Sequence, residues 1–403
     1  MFNSIMTIAL RAMSTFHPPQ KPLVFSGAGS TKKLADLMIR ARQIRPLLVT
    51  DSFLYQSGML NELVTFLKNE GCEPIVFDGI IPNPTFDVAE AGLKLSLQNR
   101  CDAVFAVGGG SAIDTAKVIA AASTSRQELP KLAGVLKIKV PLLPFYAVPT
   151  TSGTGSEATT AAVISDSKTH KKKFFVDPKY IPLATALDPN LLKSLPAGMT
   201  VATGMDALTH AIEAYTSRNC FADTDRDAKM AIRLLMEFLP IAYKDGEDER
   251  AREMVALASF LAGYAFTKSS LGYVHAISHQ VSAHYDTPHG LANAVILPRV
   301  MRFNQKACID RYAALEARLS KVDVEDSVEV LASRFIDRVD RLSEAVGIPV
   351  NLADLQEVDF VLITRDAIAE ALSSYAVPRV MNRQQVVKVL QSVATGDRAV
   401  CFA

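Results

Sequence analysis

The feature that most constrains the fold is an alternation of short apolar runs with helix-period segments from residue 22 onward. The apolar runs are PLVF, PLLVT, EPIVF, DAVFAV and PLLPFYAV, and segments such as TKKLADLMIRAR and SAIDTAKVIAAAS separate them. Buried strands separated by helices are typical of a parallel sheet that is covered on both faces. EATTAAVISD and KKKFFVD follow, and their partial alternation of polar and apolar residues predicts a hairpin appended to that sheet.

The second half of the chain has a different pattern. After the segment ALDPNLLKSLP the strand-like runs stop, and from Thr200 onward the sequence predicts about eight helices. Breakers such as Gly246, Gly272, Pro288 and Gly347 separate these helices. The predicted architecture is therefore an α/β domain to about residue 190 and an all-helical domain beyond it, and we expect a cleft between them.

Composition narrows the class of partner. The 403 residues are 49% hydrophobic, which is enough for well-buried cores. Lys and Arg number 43 against 42 Asp and Glu, so no attraction to nucleic acid or to an anionic membrane is expected. Because no apolar run reaches about 18 residues, no transmembrane helix is expected either. Because the net charge is near zero, a small-molecule partner is favoured. The five cysteines are scattered and form no CxxC pair, which fits a reducing, cytoplasmic location.

Two turns rich in small residues follow predicted strands. Gly108, Gly109 and Gly110 stand where DAVFAV passes into a helix that begins near Ser111. Without Cβ atoms the backbone N–H groups can approach an anion at the positive end of the helix dipole, as in a pyrophosphate site. The spacing is not GxGxxG, so a plain strand, turn and helix is an equal alternative. The second turn is PTTSGTGSE, whose hydroxyl groups could line the same crevice.

Asp51 closes the predicted strand PLLVT. A carboxylate at this place can accept hydrogen bonds from an adenosine ribose, and its charge would repel a 2′-phosphate, so the site favours NAD over NADP. The alternative is that Asp51 only caps the next helix.

Four of the seven histidines lie within the stretch GYVHAISHQVSAHYDTPHG. His275 and His279 are four residues apart and share one helical face, whereas His284 points the other way if the helix continues. Pro288 cannot lie inside a helix, so His289 belongs to a turn and is free to fold back.

A second cluster lies upstream, in GMDALTHAIEAY. Asp206 and His210 are again four residues apart, on an otherwise apolar helix. Burying both is costly unless a partner such as a divalent metal neutralises them. Together the two clusters predict a shell of one aspartate and three histidines around a metal ion. The alternatives are hydrogen-bonded core histidines and a local Asp–His hydrogen bond.

Four motifs together carry a resemblance to a known family. They are GGGSAIDTAK, PTTSGTGSE, ALDPNLLKSLP followed by TGMDALTHAIEAY, and VHAISH followed by TPHGLANAVILP. From about residue 22 to about residue 345 the chain resembles the iron-containing, group III alcohol dehydrogenases of the dehydroquinate synthase-like superfamily. The resemblance implies a Rossmann-like NAD-binding domain over residues 1–192 and an all-helical metal-binding and catalytic domain over residues 193–403.

The resemblance also implies roles for individual residues. The metal would be Fe(II), with Zn as an alternative, and its ligands would be Asp206, His210, His275 and His289. His279 would lie near the nicotinamide and relay a proton. The residues that would contact NAD are Asp51, Asn83, Gly109, Gly110, Ser111, Asp114, Thr150, Thr151, Thr154 and Lys172, with Lys173 left open in place of Lys172.

Two departures from the family pattern are visible. The segment SSYAVPRVMNRQQVVKVL replaces an NPR-type segment, which puts the contacts of the last helices in doubt. His284 stands where many relatives have an apolar or aromatic residue. It either touches the substrate pocket or lies at the surface, and the surface is the preferred interpretation.

The expected activity is reversible hydride transfer between NAD and a small or medium alcohol or diol, which gives the aldehyde. A metal held by one carboxylate and three neutral imidazoles keeps a net positive charge, which lowers the pKa of the alcohol. The alternatives are a hydroxyacid-oxoacid transhydrogenase, a zinc polyol dehydrogenase and a lyase of the dehydroquinate synthase type. The lyase would need a basic cluster for an anionic substrate, and the helices around the ligands are rich in Ala, Leu, Val and Tyr instead. Family resemblance also implies a homodimer.

Overall fold

The computed structural model describes residues 7, 8, 11, 12, 14–16, 18–125, 127–167, 171–320, 326–398, 400 and 402. The described residues divide into two compact units. The sheet unit comprises those of His17–Leu195 and Glu247–Gly263. The helical unit comprises those of Met1–Phe16, Pro196–Gly246 and Tyr264–Ala403.

The sheet unit is built on six parallel strands, which confirms the predicted α/β architecture. Strand runs such as AVFAVG are buried at every position, as expected for strands covered on both faces. In spatial order the strands are β1 (Leu23–Ser26), β9 (Ala184–Leu187), β6 (Phe145–Pro149), β4 (Ala103–Gly108), β2 (Pro46–Asp51) and β3 (Ile75–Ile80).

Helices cover both faces of this sheet. Alternate residues of β4 divide between two buried clusters, with Phe105 in one and Val104 in the other. The first cluster includes residues of α1 (Ser30–Arg40) and α3 (Asn61–Asn69). The second includes α5 (Gly110–Ser125) and is packed by α4 (Phe86–Gln98). The short helices α2 (Ser52–Gln56) and α6 (Leu129–Leu132) also belong to this unit.

The predicted hairpin is present, but in a separate small sheet. Strands β7 (Ala161–Ser165) and β8 (Lys172–Val176) pair antiparallel, and β8 also pairs with β5 (Gly134–Val135). The sequence did not indicate β5 or β9, because the first has two residues and the second is the four-residue run ATAL, half of it alanine. Short strands that pair with neighbours distant along the chain leave little local signal.

The helical region confirms the predicted change of character. The described residues from Ala197 onward contain eight α-helices, and the predicted breakers Gly246, Gly272, Pro288 and Gly347 lie between or after them. The helices are α7 (Ala197–Thr216), α8 (Ala222–Lys244), α9 (Glu249–Ser269), α10 (Tyr273–Tyr285), α11 (His289–Ser320), α12 (Val328–Ala345), α13 (Phe360–Ser374) and α14 (Arg383–Thr395).

Within the described residues, no single helix is long and apolar enough to cross a membrane. Helices α9 and α10 meet the length and composition criteria only when taken together across a bend of 105°.

Candidate functional site

Helix α7 places two carboxylates and one imidazole on a buried face. Asp206, His210 and Glu213 are spaced by four and three residues, so they lie on one side of the helix. All three are at most 6% exposed, and the helix around them is apolar. Charged and polar groups buried this deeply require partners.

The partners come from α10 and α11. His275 lies in the first turn of α10, and His289 is the first residue of α11, directly after Pro288. The Nε2 atoms of His289, His275 and His210 lie 3.5, 3.7 and 3.9 Å from Oδ1 of Asp206. The rings of His210 and His275 stack at 4.6 Å. The structure therefore brings the four predicted metal ligands together around one carboxylate oxygen.

The donor set fits a divalent transition metal. One carboxylate oxygen and three imidazole nitrogens are a common shell for Fe(II) or Zn. Ligand atoms held about 2.1 Å from one ion lie roughly 3.0–3.4 Å from each other. The ligand atoms of Asp206, His210 and His275 all lie within 4.8 Å of one another. Nε2 of His289 lies 3.5 Å from Asp206 Oδ1 but is outside that mutual group, so the four side chains must move inward to form a shell around one ion.

The electrostatics of the cluster also favour a cation. Burial alone would raise the pKa of Asp206, but the facing imidazoles of His210, His289 and His275 hold that pKa well below its ordinary range. Burial alone would lower the pKa of His275, but hydrogen bonds with Asp206 and Glu213 raise it to about 9. The potential that favours a proton on His275 favours a bound metal ion for the same reason.

His289 differs from His275 in this respect. Its side chain is partly buried and keeps 37% of its accessible surface. This loss of hydration lowers the pKa of His289 well below its ordinary value, although Asp206 acts in the opposite direction. A neutral imidazole has a lone pair to offer to a metal.

Glu213 is a participant that the sequence analysis missed. Its carboxylate lies 2.7 Å from Nδ1 of His275 and accepts hydrogen bonds from the N–H groups of Gly272 and Val274. A carboxylate on the far nitrogen of a metal-binding histidine fixes the tautomer and the orientation of the ring. Its spacing of three residues after His210 could have indicated the role.

Asn293 was also missed. It is fully buried four residues after His289 on α11, and its Nδ2 donates to Oδ1 of Asp206 at 2.7 Å. The same nitrogen lies 3.0 Å from Nε2 of His289 and 3.3 Å from Nε2 of His275. The amide therefore helps to orient the carboxylate, and the spacing from His289 is the signal that could have found it.

His279 lies beside this cluster, one helical turn after His275. Its ring stacks on that of His289 at 5.1 Å, and its Nδ1 lies 2.6 Å from Oε1 of Glu370 on α13. Glu370 is 91 residues away in sequence, so no local spacing pointed to it. His284 is exposed, in agreement with the preferred interpretation.

In the sheet unit, the predicted nucleotide-binding residues lie mostly at one edge. Asp51 ends β2, Asn83 follows β3, Gly109 and Gly110 follow β4, and Thr150 follows β6. These four strands are neighbours and run parallel, so their carboxyl ends share an edge. Because β3 lies on one side of β2 and β4 on the other, this edge is a topological switch point, where doubly wound sheets bind ligands.

The two small-residue loops at this edge touch each other. A Cβ atom added to Gly110 would lie 3.0 Å from Cγ2 of Thr154, and one added to Gly109 would lie 3.4 Å from Cγ2 of Thr151. The N–H group of Thr150 donates to the carbonyl of Gly108 at 3.0 Å. The absence of a Cβ atom at Gly110 thus lets the two loops approach each other, and Ser111 lies in the first turn of α5 beside them.

Three of the residues predicted to contact NAD either bind another group of the protein or are exposed to solvent. Oδ1 of half-buried Asp51 accepts from the N–H group of Leu54, so the helix-cap alternative is realised at one oxygen. Asn83 is exposed, with a left-handed φ of 52°. Lys172 and Lys173 are both exposed on β8, on alternate faces of the strand, so the choice between them stays open.

Asp114 is engaged within the protein. Its carboxylate accepts hydrogen bonds from the hydroxyl group of Ser156 and from the N–H group of Val163. Lys117, which the sequence analysis did not single out, is fully buried next to it. Its Nζ donates to Thr159 Oγ1 and to the Thr159 and Ala161 carbonyls at 2.7–3.0 Å. Burial lowers the pKa of Lys117 to about 8, against the opposing charge of Asp114.

Profiles of known protein families match most of the chain. The family described as iron-containing alcohol dehydrogenase matches residues 21–189. The C-terminal part of the Fe-containing alcohol dehydrogenase family matches residues 200–394. These two ranges contain both the nucleotide-binding residues and the metal ligands that the sequence predicts.

Relatives match over nearly the whole length. The NAD-dependent methanol dehydrogenase of Bacillus methanolicus is 35% identical over 382 residues, which is 94% of this chain and 100% of that protein. The 1,3-propanediol dehydrogenase of Citrobacter freundii is 39% identical over 351 residues, 86% of this chain and 90% of that one. A crystal structure of 1,3-propanediol oxidoreductase matches with a TM-score of 0.89 at 36% identity, covering 93% of this chain and 98% of the other. Matches of this extent confirm the resemblance seen in the motifs, and the chain belongs to the iron-containing alcohol dehydrogenase family.

Proposed function

We propose that this protein is an NAD-dependent, metal-dependent alcohol dehydrogenase, which interconverts a small or medium alcohol or diol and its aldehyde. The observation that carries the proposal is the convergence of three histidines on the Asp206 carboxylate in a chain of this family. The relatives named for methanol and 1,3-propanediol support small alcohols as the substrate class.

In this proposal Asp206, His210, His275 and His289 hold a divalent ion, with Fe(II) expected and Zn as the alternative. A bound ion supplies positive charge, which lowers the pKa of a substrate hydroxyl group. Within the chain, Glu213 keeps Nε2 of His275 directed at the site. His279 accepts the hydroxyl proton, since it lies beside the ligands and is not one of them.

We place the proposed NAD contacts in the sheet unit, mostly on the loops that follow its strands. NAD, when bound, supplies the hydride acceptor. The N–H groups of Gly109 and Gly110 bind its pyrophosphate at the start of α5, and Asp51 accepts from the ribose hydroxyls. The remaining proposed contacts are Asn83, Ser111, Asp114, Thr150, Thr151, Thr154 and Lys172. Residues 1–192 are proposed as the NAD-binding domain and residues 193–403 as the metal-binding, catalytic domain.

The test is a substrate panel on protein that has been stripped of metal and reloaded with Fe(II), Zn, Co or Ni. The panel contains methanol, longer primary alcohols, propanediols and lactaldehyde, and NADH absorbance is the readout. We expect turnover with at least one metal and no turnover after chelation. Full turnover in the Asp206→Ala variant would contradict the proposal. Turnover that needs an oxoacid acceptor but no added NAD would replace it with a transhydrogenase.

We also propose that the protein is a cytoplasmic homodimer. The family resemblance supports the dimer, and the scattered cysteines support a reducing compartment. Light scattering on the purified protein tests the assembly, and a monomeric mass at micromolar concentration would contradict it.

A further inference from the structure

Glu370 gathers three hydrogen bonds around one carboxylate. Its Oε1 lies 2.6 Å from Nδ1 of His279 and also accepts from the hydroxyl group of Tyr375 at 2.6 Å. Its Oε2 accepts from Nε2 of Gln280 at 2.8 Å. The carboxylate is 23% exposed, so these contacts are only partly open to competition from water.

The contact determines which nitrogen of His279 carries a proton. An ionised carboxylate has no proton to donate, so Nδ1 of His279 must be the donor in this pair. Burial alone would raise the pKa of Glu370, but the hydrogen bonds from His279 and Tyr375 lower it below its ordinary value. In the neutral imidazole Nε2 is then the atom that can accept a proton.

Tyr375 also orients Glu370, through the hydrogen bond that its hydroxyl group donates to the carboxylate. Burial and the Glu370 carboxylate raise the pKa of Tyr375 well above its ordinary value, so the hydroxyl keeps its proton and donates it. Tyr375 lies in SSYAVPRVMNR, the segment that departs from the family pattern. The neighbouring backbone is fixed, because Ala376 accepts from the N–H group of Arg218 at 2.9 Å.

We infer that Glu370, supported by Tyr375, is a positioning residue that holds the His279 ring with Nε2 free to accept the substrate proton. The inference rests on the proposed dehydrogenase function. It differs from a packing role for Glu370 because it acts only through His279. Removing Glu370 should therefore affect proton transfer and leave the binding of alcohol, NAD and metal intact.

The experiment compares wild type, Glu370→Ala, Glu370→Gln and Tyr375→Phe, each loaded with zinc and checked for metal content. Glu370→Ala should lower kcat roughly 10- to 100-fold, with KM for alcohol and NAD changed less than about threefold. Glu370→Gln should recover part of kcat, because the amide oxygen can still accept from Nδ1. Tyr375→Phe should lower kcat only a few-fold. Asp366→Ala, on the same helix, removes a carboxylate that pairs with Arg365 and is the matched control.

Two further readouts separate positioning from structure. In the His279→Ala background, Glu370→Ala should cause no additional loss of kcat. In long-range ¹H–¹⁵N spectra of histidine-labelled protein, His279 should carry its proton on Nδ1 in wild type and lose that preference in Glu370→Ala. If Glu370→Ala does not fold, Glu370→Gln carries the same comparison.

Two results would overturn the inference. One is an unchanged kcat and tautomer in the Glu370 variants, and the other is a loss of kcat that multiplies with that of His279→Ala. Failure of the proposed function is distinguishable, because wild type itself would then show no alcohol oxidation with any metal.

Discussion

The two candidate ligand sites of this protein are built in opposite ways. In the helical unit, three imidazoles from α7, α10 and α11 converge on one carboxylate oxygen of Asp206. At the edge of the sheet unit, close approach depends on the absence of a side chain, since a Cβ atom at Gly110 would lie only 3.0 Å from Thr154. The first site depends on chemical identity and the second on backbone shape. Substitutions at the first site should therefore reduce metal binding, and substitutions at the second should reduce NAD binding.

The largest effect is expected for His275→Ala. It removes one ligand and leaves Glu213 buried without its histidine, so bound metal should be lost and kcat/KM should fall by roughly a thousandfold, or about 4 kcal/mol. Because the metal site shares no residue with the two small-residue loops proposed to bind NAD, NAD affinity should change little. Metal analysis, kinetics and NAD titration test all three points, with exposed His284→Ala as control. If His275→Ala lost NAD affinity as completely as it lost metal, the two sites would not be independent.

A pH effect is expected at Glu157, the buried last residue of the second small-residue turn, PTTSGTGSE. Burial raises the pKa of Glu157 from 4.5 to about 7, against the nearby charge of Lys117. Because the pKa is raised in the folded state, its stabilising contribution is complete below pH 4.5 and is lost as the pH rises through 7. The loss amounts to about 3 kcal/mol.

Glu157→Gln removes this titration. Between pH 5 and pH 8 the wild type should lose stability relative to the variant, by up to about 3 kcal/mol in urea unfolding. Glu90→Gln, at an exposed position of α4, should follow the wild type. Parallel profiles for wild type and Glu157→Gln would show that the buried carboxylate does not titrate in this range.

A smaller effect is expected for Glu213→Gln. The amide keeps the size of the side chain but weakens the hydrogen bond that orients His275. Loss of such a partner typically reduces metal affinity by about 10- to 100-fold. Competition with a chelator of known affinity measures the change. Unaltered affinity would mean that the N-terminus of α10 alone orients the ring.

The smallest effect is expected for Gly110→Ala. The added methyl group would lie 3.0 Å from Cγ2 of Thr154, so the two loops must separate slightly. We expect KM for NAD to rise about tenfold, or about 1.4 kcal/mol, with metal content unchanged. Gly198→Ala is the matched control, because a Cβ atom at Gly198 meets nothing within 4 Å. If Gly110→Ala and Gly198→Ala had the same KM for NAD, close packing of the two loops at Gly110 would not be needed for NAD binding.

The sequence predicted what is encoded by local pattern. Buried runs identified β2, β4 and β6, and the clustering of histidines identified side chains that the structure brings together. The four-residue β9 was missed, because its strand character depends on β1 and β6 beside it. Glu213 and Asn293 were missed although their helical spacing from His210 and His289 could have indicated them.

Other features cannot be read from local pattern. Glu370 contacts His279 across 91 residues, and nothing near either residue signals the pair. Lys117 appeared as one more helical lysine, whereas it is fully buried under the second loop. Asp51 had two interpretations, and the structure realises the helix cap without testing the ribose contact.

The carboxylate of Glu213 has a further consequence. It accepts hydrogen bonds from two N–H groups at the beginning of α10 and also pairs with the imidazole of His275 in the first turn of that helix. Winding of that turn and capture of an ion are thus thermodynamically linked. An ion that binds only the wound form must protect the backbone amides at residues 272–274 from hydrogen exchange, and stripping it must let the start of the helix fray.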